Sequence, residues 1–97
     1  MSGPSQPKVE GEQWSDERIG GFLLLKPQGA IHPDYYVLHQ AYQHMTADFF
    51  ARFIAQFCAA QRNINATSLD GDTLLAHIRQ HKKAEPYIKV LMKNGAQ

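Results

Sequence analysis

Few side chains in this sequence stand at a spacing that does chemistry. His77 and His81 lie four residues apart. On a helix that separation brings two imidazoles to one face, where they can share a metal ion. The residues between them are Ile78-Arg79-Gln80, so the zinc-protease pattern H-E-x-x-H lacks its glutamate. A third ligand would have to come from Asp70, Asp72 or farther away. Two exposed histidines beside a basic cluster are the simpler reading, and no metal is expected. Cys58 is the single cysteine. A thiol acts as a nucleophile only when it is exposed next to a base, and Cys58 falls among phenylalanines, where a small apolar core residue is expected. One cysteine also excludes an internal disulfide and a four-thiolate zinc site. No catalytic constellation remains, so neither enzymatic activity nor a cofactor is expected.

The basic side chains gather late in the chain. Residues 72–97 carry Arg79, Lys82, Lys83, Lys89 and Lys93 against Asp72 and Glu85, a surplus of three positive charges. Residues 1–71 carry five bases against seven acids. Such a patch suits phosphates or an acidic protein. The aromatics do not interleave with it, as stacking on nucleic-acid bases requires. A solvated face is therefore the first reading, and phosphate or nucleic-acid binding through these five residues is the alternative. His32-Pro33-Asp34 spells the tripeptide of the J-domain co-chaperones. The long basic helix that precedes that motif is missing, and Pro33 as a helix starter explains the string.

The elements that position these residues follow from length and pattern. The chain has 97 residues, 43% hydrophobic and 20% charged, enough for one soluble domain and no second core. A net charge of +1 argues against a strongly charged polymer binder. No apolar run approaches the ~20 residues of a membrane span. The start of the chain lacks the basic and apolar regions of a secretory signal, so Asn65-Ala66-Thr67 is a chance glycosylation sequon and a cytoplasmic location is expected. Residues 1–13 are too polar to offset their ordering entropy and are expected to form a disordered tail. Residues 14–97 are expected to form a single helical domain.

Ser15 reads as a helix cap, followed by Asp16 and Glu17 at the positive end of the dipole. Trp14 and Ile19 stand at the hydrophobic-staple spacing. This helix is expected to run until Pro27, weakened by Gly20-Gly21. A second helix starts near Pro33, ends near His44 and carries Tyr36, Val37, Leu38, Ala41 and Tyr42. Thr46 caps a third. Its Phe49, Phe50, Phe53, Ile54, Phe57 and Cys58 form a broad apolar stripe, so it should be the central helix, with its stripe in the core rather than lining a groove. Residues 61–71 read as a loop. A fourth helix is expected from Asp72 to about His81, and a fifth from Glu85-Pro86 with Gly95 just past its end.

Shifted by 37 residues, the second helix pair overlays the first: Leu38 meets Leu75, His44 meets His81 and Phe50 meets Tyr87. Residues 63–75 read Asn-Ile-Asn-Ala-Thr-Ser-Leu-Asp-Gly-Asp-Thr-Leu-Leu. Ile64, Asn65, Ala66, Gly71, Thr73 and Leu75 fall in register with the D-V-N-A and G-x-T-P-L-H segments of the ankyrin repeat, and Leu91-Met92 with Gly95-Ala96 resembles its L-L-x-x-G-A ending. The likeness is moderate over 63–96 and looser over 33–62, where Leu38-His39-x-Ala41 is kept. It departs at Leu74 and Ala76, where the family has proline and histidine, and at Gln61, where it has glycine. Asp48-Phe49-x-x-x-Phe53 and Ala84-Glu85-Pro86-Tyr87-Ile88 also resemble a family of small proteobacterial proteins that brings no activity with it.

These readings converge on an all-α fold of about five helices, an N-terminal capping helix followed by two ankyrin-like helical hairpins. The resemblance implies a small protein–protein interaction module or adaptor. Ankyrin repeats bind through hairpin tips and the concave face of the inner helices. Carried over, this points to Ala66, Thr67, Ser68, Leu69, Asp70 and Asp72 at the tip. On the inner helix it points to Ala76, His77, Arg79 and Gln80. The expected partner is another protein, with nucleic acid the lesser alternative and no membrane.

Overall fold

The computed structural model describes residues 13–97, and most of the expected N-terminal tail lies outside the described residues. The fold is all-α. Helix α1 spans Asp16–Gly20, α2 Pro33–His44, α3 Ala47–Ala59, α4 Leu74–Ile78 and α5 Glu85–Lys93. Single 3₁₀ turns at Gly21–Leu24 and Lys82–Ala84 follow α1 and precede α5.

Local chemistry sets the starts of these helices. The Ser15 hydroxyl accepts the Arg18 N–H at 3.1 Å, Thr46 accepts from Phe49 at 3.3 Å and Thr73 from Ala76 at 3.1 Å. Each side chain satisfies one of the amides that a helix leaves open at its first turn. At α2 the cap is His32, whose Nδ1 accepts the Asp34 N–H at 3.0 Å. Pro33 follows in the first turn, where its missing N–H costs nothing.

Two helices are shorter than their sequence suggests. α1 stops at Gly20, tightens into the 3₁₀ turn and is extended by Leu25. The Gly20-Gly21 pair lowers helix propensity by about 2 kcal/mol, enough to end a helix of a single turn well before Pro27. Gly20 also lies against the side-chain amide of Gln56, leaving little room for a Cβ. α4 begins after Thr73 and ends at Ile78. The His81 N–H then bonds the Ile78 carbonyl at 2.8 Å, so His81 has left the helix that carries His77.

The core is organised by α3. Phe50, Phe53, Ile54 and Phe57 are fully buried, together with Ile19, Val37, Leu38, Ala41 and Met45 on one side and Leu74, Leu75, Ile78 and Leu91 on the other. Ring centroids of Phe53 and Phe57 are 5.9 Å apart, and those of Phe50 and Tyr87 5.3 Å apart with an edge-to-face tilt, a geometry that aromatic quadrupoles favour. The stripe is core and lines no groove. Its two outer members, Phe49 and Cys58, are only half-buried. Phe49 packs on Trp14 at 5.4 Å, and Trp14 lies under the Arg18 guanidinium at 3.8 Å. On α2, Tyr35 rather than Tyr36 takes the buried position.

A partly buried ion pair closes the fold behind α3. Arg62 Nε donates to Asp34 Oδ1 at 2.7 Å, Arg62 Nη1 donates to the Leu23 carbonyl at 2.7 Å, and the Asn63 N–H donates to Asp34 Oδ2 at 2.8 Å. One guanidinium thereby joins the end of α3 to the start of α2 and to the turn after α1. Burial alone would raise the Asp34 carboxyl. The Asn63 N–H and the Arg62 bond and charge, helped by His32, outweigh it and hold the carboxyl below its ordinary value.

α3 and α5 end in the same way. After α5 the Gly95 N–H bonds the Met92 carbonyl at 3.2 Å and the Ala96 N–H bonds the Leu91 carbonyl at 3.0 Å. After α3 the Gln61 N–H bonds the Cys58 carbonyl at 2.9 Å and the Arg62 N–H bonds the Phe57 carbonyl at 3.3 Å. Both are Schellman closures, which need one left-handed residue. Gly95 supplies it at φ 94° and Gln61 at φ 61°.

Two outcomes follow from these contacts. Gln61→Gly should stabilise the protein by about 1 kcal/mol, because glycine carries no left-handed penalty, whereas Gly95→Ala should destabilise it by a similar amount; urea denaturation of both variants checks this. Asp34→Asn should cost about 2 kcal/mol at neutral pH, through the lost charge-assisted hydrogen bonds. A carboxyl with a lowered folded pKa stabilises above its unfolded pKa and ceases to do so as pH falls through the folded one. The difference between the wild type and Asp34→Asn should therefore shrink only in acid, below about pH 4.

Candidate interaction surface

The loop between α3 and α4 contains a small hairpin. Thr67 and Thr73 form an antiparallel bridge, the Ser68 N–H bonds the Asp72 carbonyl at 2.8 Å, and the Gly71 N–H bonds the Ser68 carbonyl at 2.9 Å. Gly71 has φ 87°, a conformation that the turn needs and that glycine adopts without strain. The Ser68 hydroxyl accepts the Asp70 N–H at 3.2 Å. This turn leaves Leu69 at the tip, 71% exposed.

The base of the hairpin is tied down from two directions. Ile64 and Ala66 dip into the core. Asn65 Nδ2 donates to the Gly95 carbonyl at 3.3 Å, and Asn65 Oδ1 accepts the Gln97 N–H at 2.7 Å. Thr73, which caps α4, also donates its hydroxyl proton to the Gln97 carbonyl at 2.8 Å.

Of the ten residues assigned to this surface from sequence, Thr67, Leu69, Asp70, Asp72, Ala76, His77, Arg79 and Gln80 are exposed and Ser68 is half-buried. Ala66 is a correction. At 3% exposure it anchors the loop and is not available to a partner, because its small side chain fills core space beneath the hairpin. The basic residues Arg79, Lys82, Lys83, Lys89 and Lys93 are all exposed. The first three cluster at the α4–α5 connection, and Lys89 and Lys93 lie four apart on α5. They line neither of two surface concavities, of about 820 and 580 Å³, which lie instead beside Leu23 and Leu24.

A row of rings adjoining α4 escaped the sequence reading. Tyr35, His39 and Tyr42 repeat at i, i+4 and i+7 along α2, a spacing that places them on one helix face. Tyr35 and His39 stack at 5.9 Å, His39 meets His77 edge-on at 5.8 Å, and His77 meets His81 at 5.7 Å. The Tyr42 hydroxyl lies 3.3 Å from His81 Nδ1, and the Tyr42 ring packs on Tyr87 at 5.0 Å, whose hydroxyl donates to the Met45 carbonyl. The row thus links α2, α4 and α5. Among the described residues no group of three or more side chains is placed to hold a metal ion.

Burial, and secondarily the neighbouring His77, push the His39 imidazole below its ordinary pKa. Burial raises the Tyr35 phenol, and the charges of Asp72 and Asp70 in the hairpin raise it further. Burial, then the Tyr87 phenol, also raises Tyr42. No helix among the described residues is long and apolar enough to cross a membrane.

A histidine with a lowered folded pKa takes up its proton more readily when unfolded. Its contribution to stability is full above the unfolded pKa of about 6.5 and declines as pH falls below it. The melting temperature should therefore drop between pH 7.5 and 5.5, and His39→Gln should lessen that drop. Thermal melts at the two pH values, with His44→Gln as the comparison, measure it. Compared with known proteins, the chain matches no family model, no curated protein and no solved structure.

Proposed function

We propose that this chain is a non-catalytic protein-interaction module that meets its partner through the 67–73 hairpin and the exposed residues of α4. The observation that carries this reading is the hairpin itself. It presents Leu69 at its tip on a base held by Asn65, Thr73 and the buried Ile64 and Ala66. An exposed apolar residue on a braced turn loses little freedom on binding, so the area it buries is not cancelled by ordering cost. Asp70, Asp72, His77, Arg79 and Gln80 supply polar and charged groups of both signs around it, the composition of an interface rim. The ankyrin likeness of residues 63–96 points to the same hairpin and helix.

The second reading rests on charge. None of Arg79, Lys82, Lys83, Lys89 and Lys93 takes part in an ion pair among the described residues, which leaves five cations open to phosphate. The two readings differ in salt dependence. Phosphate neutralisation makes affinity fall steeply with ionic strength, whereas an interface centred on Leu69 depends on salt weakly.

The test is capture of partners from a cell lysate with the whole chain immobilised, washed at low and high salt, beside Leu69→Asp and Lys82→Ser/Lys83→Ser variants. The expected result is a discrete protein retained at high salt and lost, by about thirtyfold in affinity, with Leu69→Asp. Retention that survives Leu69→Asp and vanishes with the lysine variant, or with nuclease, would replace this reading by the phosphate one. All three substituted positions are exposed, so unchanged thermal melts separate lost binding from lost fold.

A further inference from the structure

A second exposed apolar feature lies outside the hairpin. Leu24 is 79% exposed and Leu25 38% exposed, at the end of the 3₁₀ turn where α1 is cut short. Leu23 and Leu24 line both concavities, so these leucines form a ridge between two hollows. The first hollow, of about 820 Å³, is floored by Gly20, Gly21 and Ala55. The second, of about 580 Å³, is walled by Pro27, Ala30 and Ile31.

The two flanks carry opposite charge. On the first, Asp16 is engaged by Arg52, which leaves the exposed Glu17 without an ion pair among the described residues. On the second, Arg62 is engaged by Asp34 at 2.7 Å, which leaves the exposed Lys26 without an ion pair among the described residues. An apolar ridge with unlike charges on its two sides makes a patch complementary to itself.

We infer that the Leu23–Leu25 ridge is a self-association surface, covered by a second copy of this chain with the two-fold axis running along the ridge. An axis in that direction exchanges the flanks. It sets the two leucine ridges against one another and faces Glu17 with the partner's Lys26, twice over by symmetry. An axis across the ridge would instead face Glu17 with the partner's Glu17, and like charges at an interface oppose association. The second copy would cover leucines that otherwise stay in contact with water. This surface does not depend on the hairpin, so both could be occupied at once.

The experiment is sedimentation equilibrium of the full chain from about 1 µM to about 500 µM, with thermal melts as the check on folding. The expected mass rises with concentration from that of the 11.0 kDa chain to twice that value. Leu24→Asp should weaken association at least tenfold. Glu17→Lys and Lys26→Glu should each weaken it, and the double variant should restore it, because the pair is only reversed. Leu69→Asp should leave it unchanged. A chain that stays monomeric throughout, including one whose ridge is covered by its own residues, overturns the inference. So does a dimer that Leu24→Asp does not weaken, and failure of the double variant to restore association overturns the axis.

Discussion

The burial of α3 is the constraint on which the rest of this structure depends. Phe50, Phe53, Ile54 and Phe57 lie on one broad side of a 13-residue helix, and no single neighbour can cover a face so wide. The fold covers it from several directions. α1 and α2 approach on one side, and α5 on the other, with the edge of Tyr87 directed at Phe50. Fully burying each of these side chains is favourable by about 1.5–3 kcal/mol, which outweighs the weak intrinsic helicity of segments as short as α1 and α4. Those helices are five residues each; α1 packs on α3, and α4 packs on α2 and α5.

Polar contacts then decide where the connections run. Asp34 and Arg62 are 28 residues apart in sequence, yet one guanidinium joins three segments that apolar packing alone would leave free to slide. Both partners are shielded from solvent by the same layer, so their bonds act in a less polar medium than at an open surface. At the far end Asn65 and Thr73 do the corresponding work, gathering the loop, the start of α4 and the last residues of the chain. The hairpin between them is exposed at its tip and constrained at its base, an arrangement suited to recognition.

Two pairs of helices closed by equivalent Schellman motifs suggest a repeated plan, but the pairs are unequal. α2 and α3 have 12 and 13 residues, while α4 and α5 have five and nine. The long pair builds the core. The short pair covers it, with the exposed hairpin just before α4 and Arg79, Lys82 and Lys83 between its helices.

The sequence by itself determined whatever depends on neighbours within a few residues. The caps Ser15 and Thr46, the start of α2 at Pro33 and the closing Gly95 were legible because a cap or a turn is closed by atoms three or four positions away. The stripe of α3 was legible because helical period is a local property. Tertiary structure alone decided what rests on atoms far apart in the chain. It buried Ala66, which looks like any small loop residue, by placing core beneath it. It brought His39 to His77 and Tyr42 to His81, contacts whose only sequence signal is the i, i+4, i+7 run on α2. It ended α4 at Ile78, three residues short of the His81 end that the local pattern suggests. It also left Leu24 and Leu25 in the open, a placement no local rule contains, because exposure depends on which side chains the remainder of the fold has already covered.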